Sequence, residues 1–532
     1  MRISGYDLTI QVFKKHFVFF FIITIVGLSI FLRFYGIDDK DVWLDEANAI
    51  LISEKTAPEI VNRLASDASP LLFYFILHYW MKLFGQSETA LRAISTFFGV
   101  LLVITLFFIG RKLFTTQTGI YAALIAAIAP IQVMYSQQVR MYTLLPLMGI
   151  LSMYFLVSFI HEGKKSQICW YIISTIACIY THNYGLLLFP AHTIMMFCYA
   201  RHRKTLILWL IGLGCIFLVY SLWLPTFIGQ FDNIPTNDWR NHFWNRFGFA
   251  GSLLQSLKSF SPGGTQLPFV PLNAISWQPI LPVFLSAILL LSGSSPLIKK
   301  KQPAKHKTMV VWLIVYVTIP LISAAIISSI SSSIYLAGRC DQLVFPGFCL
   351  LVAAGINNIK PKYLQYAAVV VFAMFSLKTL DEYYKGNPKH GDKLIATTIR
   401  QHLMPGDAIL CTSLTRASLE YYLRDKKLQN KFFSFPAGTA NHMADQDNTK
   451  LLEDPVELFL EAESLEKEIR SKGSQSGRFF VVFVPNQVNK ILKEQITRNI
   501  TADQVKLLGR FKQSLLAIPV QVVLINYKSG NS

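Results

Sequence analysis

The sequence predicts a multi-pass, all-α membrane domain followed by a smaller extracytoplasmic α/β domain. Three observations predict it. Of 532 residues, 52% are apolar and only 15% charged, and the mean hydropathy is +0.41. Soluble domains carry about 25% charged residues. Uncharged stretches of roughly bilayer-crossing length recur as far as Leu377, and after Thr379 charges become frequent and no further span follows. The expected division is residues 1–379 for the membrane domain and 380–532 for the α/β domain.

A spanning helix needs about 20 mostly apolar residues. The first is Phe17–Leu32, preceded by Lys14 and Lys15. A signal peptide would end in a small-residue cleavage site. Arg33-Phe34-Tyr35 is a poor one, so the segment reads as an uncleaved helix. Further stretches run from Ala93 to Gly110, Leu113 to Val139, Met141 to Ile160, Ser166 to Ala200, Thr205 to Phe231, Ser259 to Ile298, Thr308 to Gly338, Gln342 to Ile359 and Tyr363 to Leu377. Ser166–Ala200 is broken by His182, Gly185 and Pro190 and fits two short helices meeting at Thr181–Gly185. The expected total is about eleven spans.

Basic loops mark the cytoplasmic side of a membrane. The clusters are Lys14-Lys15, Arg111-Lys112, Lys164-Lys165, Arg201 to Lys204, Lys299 to Lys307, and Lys360 with Lys362. With a cytoplasmic N-terminus every cluster falls inside, provided Pro70–Gly85 does not cross. That segment, with His78, Trp80 and Lys82, reads as an interfacial or re-entrant helix of the first outer loop. The outer side then receives Tyr35–Ser69, Ser136–Arg140, Thr181–Gly185, Pro225–Ile275, Ser331–Asp341 and everything after Lys378. Lys and Arg exceed Asp and Glu by 19. Such a balance often signals nucleic acid. Here the excess lies largely in these loops, and no nucleic-acid partner is expected.

In the C-terminal part, Ala408–Thr412, Lys431–Phe435, Arg478–Val484 and Val520–Tyr527 read as strands. Asp392–Leu403, Arg416–Arg424, Pro455–Ser471 and Val488–Ile496 read as helices. Alternation of this kind predicts an open α/β domain. No glycine-rich phosphate loop occurs. The seven cysteines form no CxxC pair, so neither a disulfide framework nor a zinc site is expected.

Chemistry concentrates in the outer segments. The first loop contains Asp38-Asp39-Lys40-Asp41-Val42-Trp43-Leu44-Asp45-Glu46. Acids suit a helix start, because they meet the positive end of its dipole. The functional reading of Asp45 and Glu46 is a carboxylate that takes a proton from an acceptor hydroxyl. Asp39-Lys40-Asp41 has the form of a metal pair but lacks a third ligand, and a solvated face fits it better. Arg140 stands between two apolar stretches on the side where basic residues are not expected. It is either a snorkelling anchor or a phosphate ligand, since its fork binds oxyanions bidentately. His182 sits in a polar knot at the outer end of a span, as a packing residue or a ligand. Arg339 either pairs with Asp341 or belongs to the same outer-face cluster. An acid pair, two arginines and a histidine on one face are together functional candidates.

Those residues carry a resemblance. Trp43-Leu44-Asp45-Glu46-Ala47 resembles the acidic first-loop motif of lipid-linked-sugar glycosyltransferases of the C-type superfamily. Ser69-Pro70-Leu71-Leu72-Phe73-Tyr74 through Gly85 resembles their Pro-Pro-Leu-Tyr-Tyr helix. Ser87–Arg92 resembles the start of the next span. Gln137-Gln138-Val139-Arg140-Met141-Tyr142 is similar to Gln-Glu-Ala-Arg-Met-Tyr, and Tyr180–Gly185 to Tyr-Thr-His-Tyr. The likeness covers roughly residues 10–380 and is nearest to the protein O-mannosyltransferase and aminoarabinose transferase branch. It implies a bacterial inner-membrane enzyme that moves a sugar, with inversion, from a polyprenyl-phosphate carrier to a hydroxyl of a glycolipid, glycan or protein. Asp45 would be the base and Glu46 its neighbour in the catalytic motif. Arg140, His182 and Arg339 would hold the lipid phosphate, and Tyr142 and Tyr184 would contact substrate. A divalent metal stays open, and membrane lipids are the remaining partners. The chain departs from the pattern at Ala68-Ser69-Pro70, where a cation and a second proline are missing, and at Gln138, where Glu is common. A lipid-linked sugar or polysaccharide transporter is the alternative. Against it, the chain shows no repeat of halves. A sensor or scaffold working through the C-terminal domain is a third reading.

Overall fold

The computed structural model describes residues 5–65, 67, 69–232, 239–263, 280–298, 303–331, 333–385, 391–412, 415–424, 431–436, 455–473, 477–498, 501, 504–512 and 519–526. The first part is helical. α1 (Gly5–Phe34) leads through the acidic loop to α2 (Leu44–Ser53), α3 (Ala57–Ala65) and α4 (Leu72–Phe84). Next come α5 (Glu88–Leu113), α6 (Thr116–Ile128), α7 (Pro130–Ser136), α8 (Leu144–Glu162), α9 (Lys165–Thr181), α10 (Leu188–Tyr199) and α11 (Arg203–Tyr220). α12 (Leu224–Asp232), α13 (Trp239–Phe260), α14 (Ile280–Ser294), α15 (Ala304–Ile330), α16 (Phe345–Asn358) and α17 (Lys362–Lys385) complete it.

Local chemistry sets the breaks. Ser87 and Thr115 cap α5 and α6 by accepting the backbone N–H groups of Ala90 and Thr118. Pro130 cannot continue the hydrogen-bond ladder of α6 and turns Ala129 out of the helical region, so α6 and α7 meet at a 59° bend. Gly163, at φ +64°, ends α8 in the left-handed conformation.

Among the described residues, eight helices are long and apolar enough to cross a membrane, or nine if α6 and α7 form one bent span. The expectation of about eleven exceeds this by the pair assigned to Ser166–Ala200. α9 and α10 have 17 and 12 residues. At 1.5 Å per residue they reach about 26 and 18 Å, short of a core about 30 Å thick. The polar turn at His182 divides them, as expected, into two short helices. α4, with 13 residues, is also too short to cross, in line with its interfacial reading. Pro225–Ile275 was expected to be an outer loop. As far as residue 263 it is largely α12 and α13, and residues 264–275 lie outside the described ones.

Two ends of the bundle differ in charge. At one end Lys112 and Lys164 pair with Glu162, at 3.1 and 2.9 Å. Phe114 packs edge-on against His306 there, with centroids 5.3 Å apart. Loops from three predicted cytoplasmic clusters therefore meet, although residues 299–302 lie outside the described ones. Arg92 is twenty residues up α5 from Lys112, about 30 Å away along the axis. The buried polar groups of the acidic loop gather around Arg92.

The C-terminal part holds α18 (Gly391–His402), β1 (Ala408–Thr412), α19 (Arg416–Tyr422), β2 (Lys431–Phe435), α20 (Pro455–Glu468), β3 (Arg478–Phe483), α21 (Gln487–Arg498), β4 (Val505–Lys512) and β5 (Pro519–Asn526). The sheet order is β2-β1-β3-β5-β4. β1 runs parallel to β2 and β3, and β5 antiparallel to β3 and β4. Residues of β1 and β3 alternate between two cores. Ile409, Cys411, Phe480 and Val482 face α18 and α19, while Ala408, Leu410, Phe479 and Val481 face α20 and α21. All four predicted strands and helices are present. β4 escapes sequence reading because Lys506, Arg510 and Lys512 interrupt its apolar pattern and the register slips between Leu507 and Gly509. Such charges and irregularities protect an edge strand. α17 also runs six residues past the expected boundary at 379.

α14 and α16 cross at backbone contact. A Cβ on Gly355 would lie 1.9 Å from the Leu289 carbonyl oxygen, and one on Gly293 2.1 Å from that of Leu351. Small residues permit this approach between membrane helices. Gly355→Val is expected to destabilise the protein by about 1–3 kcal/mol or more. Thermal unfolding in detergent checks it, with Gly214→Ala as a control, since a Cβ there meets nothing within 4 Å.

Candidate active site

The site begins at α2. Asp45 and Glu46 occupy its first turn, where acids oppose the helix dipole. Adjacent helical residues point about 100° apart, so the two carboxylates face different surroundings.

Glu46 faces Arg92. The Arg92 Nε donates to Glu46 Oε1 and Nη2 to Oε2, both at 2.9 Å, and both side chains are 1% exposed. The remaining guanidinium protons reach the carbonyls of Ile37, Lys40 and Asp41, at 2.7, 2.8 and 3.0 Å. The Val139 N–H donates to Glu46 Oε1 at 2.9 Å. Glu46 was expected to be catalytic. In the structure its carboxylate joins the acidic loop, α5 and the 137–142 turn.

Asp45 faces the arginines. Its Oδ2 forms an ion pair with Arg339 Nη2. Arg339 Nε also donates to the Tyr142 hydroxyl. Arg140 Nη1 lies 3.5 Å from the Asp45 carbonyl oxygen, and its guanidinium stands 5.6 Å from the Tyr142 ring centre. Burial by itself lowers the pKa of both guanidinium groups, but Tyr142 and Asp45 outweigh it and hold both above the usual arginine value. The charges therefore persist. The Arg140 Nε has no hydrogen-bond partner, and Arg140 is buried rather than snorkelling.

Arg339 is aimed by a turn. Gly338 takes φ +78°, its N–H donates to Asp341 Oδ2 at 3.0 Å, and Tyr135 donates to its carbonyl oxygen. The choice left open in the sequence is thereby decided: Arg339 pairs with Asp45, and Asp341 holds the turn. His182 closes the other side. Its ring lies 6.2 Å from that of Tyr142, its Nδ1 accepts the Tyr184 N–H at 3.1 Å, and its Nε2 is 3.8 Å from the Cys340 sulfur. Tyr184, also expected to contact substrate, is buried, and its hydroxyl donates to the Ile334 carbonyl at 3.0 Å. It supports the turn that carries His182.

Sequence reading thus locates Asp45, Arg140, Tyr142, His182 and Arg339, and the structure brings all five together. It misses two buried arginines. Arg33 donates to Ser136 Oγ, the Ser29 hydroxyl and the Ala126 and Ala127 carbonyls, tying α1 to α6 and α7. Arg92 stands in the sequence only as the end of a motif. The available signal was a lone charge at the end of an apolar span. Tyr74 is also buried here, its phenol raised by burial and interacting with Asp67, Arg140 and Asp45. In the segment Pro225–Ile275, expected on the outer side, Trp244 packs on Tyr335 at 6.1 Å. The Trp239 and Arg240 side chains lie outside the described residues. Asp41 Oδ2 accepts the Lys393 N–H at 3.0 Å. Among the described residues no three His, Cys, Asp or Glu side chains group as metal ligands.

Known proteins share this architecture. Residues 68–224 match the family model for dolichyl-phosphate-mannose-protein mannosyltransferase. ArnT from Cupriavidus metallidurans bound to undecaprenyl phosphate superposes with a TM-score of 0.58 at 13% identity, over 94% of this chain and 97% of that one. The chain has the fold of a C-type glycosyltransferase. The apo Archaeoglobus fulgidus oligosaccharyltransferase gives a TM-score of 0.55 at 12% identity, covering 88% of this chain and 70% of that one. No curated protein is similar enough in sequence to match. Family match and fold together mark a membrane glycosyltransferase resembling the protein O-mannosyltransferase and ArnT branch. In this glycosyltransferase, Glu46→Ala leaves Arg92 buried without its counter-charge, which is expected to cost about 3–5 kcal/mol. Thermal unfolding in detergent checks the loss, with Asp45→Asn as the milder comparison.

Proposed function

We propose that the protein is an inverting glycosyltransferase of a bacterial inner membrane, which moves a sugar from a polyprenyl-phosphate carrier to an acceptor hydroxyl at the outer face. One observation carries this reading: Asp45, Arg339, Tyr142 and Arg140 form a single network, with His182 beside it, at the bundle end opposite the basic loops. An acid beside fixed cations is what cleavage of a sugar–phosphate bond requires.

The acceptor hydroxyl gives its proton to Asp45. Its oxygen attacks the anomeric carbon from the face opposite the phosphate. The bond from that carbon to the phosphate oxygen breaks, and the electron pair stays on the lipid phosphate. Arg140, Arg339 and His182 stabilise the negative charge that builds there. Such fixed groups act without reorganising at the moment of reaction. Arg339 now pairs with Asp45. An arriving phosphate competes for that guanidinium and releases the carboxylate as a base. Tyr142, bonded to Arg339, holds the guanidinium in reach of both. Glycolipids, glycans and proteins are the acceptor classes.

Mass spectrometry of surface glycans and glycolipids from a deletion strain tests this. One missing sugar names donor and acceptor class together, and unchanged profiles sink the proposal. Re-expressed Asp45→Asn should restore the sugar about 10²–10⁴-fold less well than wild type, the usual worth of a general base. Arg140→Ala should fall by about 10²–10³-fold, chiefly through donor use. If only acceptor use suffers, its phosphate role is wrong.

A further inference from the structure

We propose that the C-terminal domain is a clamp that positions the base-bearing helix α2, with Tyr422 and Arg424 as its positioning residues. The inference rests on the reading of Asp45 given above. Four contacts bracket the acidic loop and α2. Just before the helix, the Val42 N–H donates to the Tyr422 hydroxyl at 2.8 Å. One residue earlier, Asp41 Oδ2 accepts the Lys393 N–H at 3.0 Å. Just after the helix, Glu54 pairs with Arg424 at 2.5 Å. Beside it, the Lys393 ammonium reaches Glu88, the first residue of α5, at 3.4 Å. Both ends of α2 are therefore held from the same domain.

The contact is packed as well as polar. Ala417 and Tyr421 of α19 are buried in the hydrophobic core of the membrane part, not in either core of the sheet. The Arg424 guanidinium stacks over the Tyr421 ring at 4.2 Å. Arg400 of α18 donates to the Tyr422 carbonyl and ties this corner to the rest of its domain. The domain entrance is fixed too. Tyr383, near the end of α17, donates to Gln137 Oε1 at 3.1 Å, and Gln137 donates to the carbonyls of Arg33 and Tyr35. Gln137 opens the turn that carries Arg140.

From below, Arg92 holds the same loop through the carbonyls of Lys40 and Asp41. The loop is thus gripped on two sides. α2 has 10 residues and its N-cap position, Trp43, makes no side-chain cap. A helix this short is marginal alone. Tyr422 and Arg424 supply at its two ends what its own sequence lacks. A misplacement of about 1 Å at a reacting group can lower rate by about 10²-fold, so a clamp remote from substrate can govern turnover.

The test uses full-length protein in detergent and in the complemented deletion strain. Arg424→Gln and Tyr422→Phe should raise hydrogen–deuterium exchange of residues 41–54 about tenfold or more while the sheet stays protected. Binding of undecaprenyl phosphate as probe should stay within about twofold, because Arg140 and His182 are untouched. Restored surface sugar should fall by about 10- to 100-fold. The pair Glu54→Arg with Arg424→Glu should recover both protection and product, which a merely structural loss would not. Unchanged exchange of residues 41–54 in both variants overturns the clamp, as does full product with raised exchange. Asp45→Asn separates the two readings: it should lose product with exchange unchanged. If it keeps product, the base assignment fails while the exchange result still decides the clamp.

Discussion

The structure depends on one buried ion pair. Arg92 and Glu46 are both 1% exposed and meet through two hydrogen bonds. A guanidinium offers five N–H donors in a fixed fork, and Arg92 spends all five on Glu46 and three loop carbonyls. Such a pair contributes little net stability, because desolvation offsets its attraction. Its effect is on geometry. The acidic loop has few apolar anchors of its own, and Arg92 draws residues 37–46 onto the end of α5. Glu46 then accepts the Val139 N–H, which sets the turn that presents Arg140. With Glu46 turned inward, Asp45 is left to face the cations.

This division explains why adjacent acids have different work. Both look alike in the sequence, and a dipole argument treats them equally. What separates them is the angle between successive helical residues and the partner each one meets. Arg92 was visible as a charge at the edge of an apolar span, but its partner forty-six residues earlier was not. The same holds for Arg339. Two readings were open to it, a pair with Asp341 nearby or a place in the outer-face cluster. The tight turn at Gly338, closed by Asp341, settles the matter by using the nearer acid for backbone.

Elements with strong local signals were legible. Among the described residues the apolar stretches are largely helical, and the break at His182 falls where polar residues interrupt them. Strands β1 and β2 are legible to the residue, since short apolar and aromatic runs bounded by charge leave little choice. Elements defined by long-range fit were not. β4 carries three basic residues and a register slip, and only pairing with β5 makes it a strand. The expected eleven spans exceed the eight or nine long apolar helices among the described residues, because apolar composition does not show where a stretch is divided, as at His182. The site was legible where side chains are unusual for their place, as at Arg140, and illegible where ordinary residues acquire a role through contact. Tyr422 and Arg424 are of the second kind.

The positive charge of the chain has two separate uses. Part of it lies in basic loops, and at one end of the bundle the exposed Lys112 and Lys164 pair with Glu162. Exposed pairs of that kind contribute little energy, and basic loops of this kind are what the cytoplasmic side of a membrane protein carries. Arg140 and Arg339 are buried at the other end, among aromatic rings and one carboxylate. Burial costs a cation its hydration unless other groups replace it, and around Arg140 they replace it only in part. The Arg140 Nε still lacks an acceptor. A buried guanidinium with an unused donor is suited to an incoming anion, and an oxyanion has oxygens enough for Arg140 and Arg339 together. On the proposed mechanism that anion is the lipid phosphate, and its arrival converts the Asp45–Arg339 pair from a resting contact into a base and a charge stabiliser.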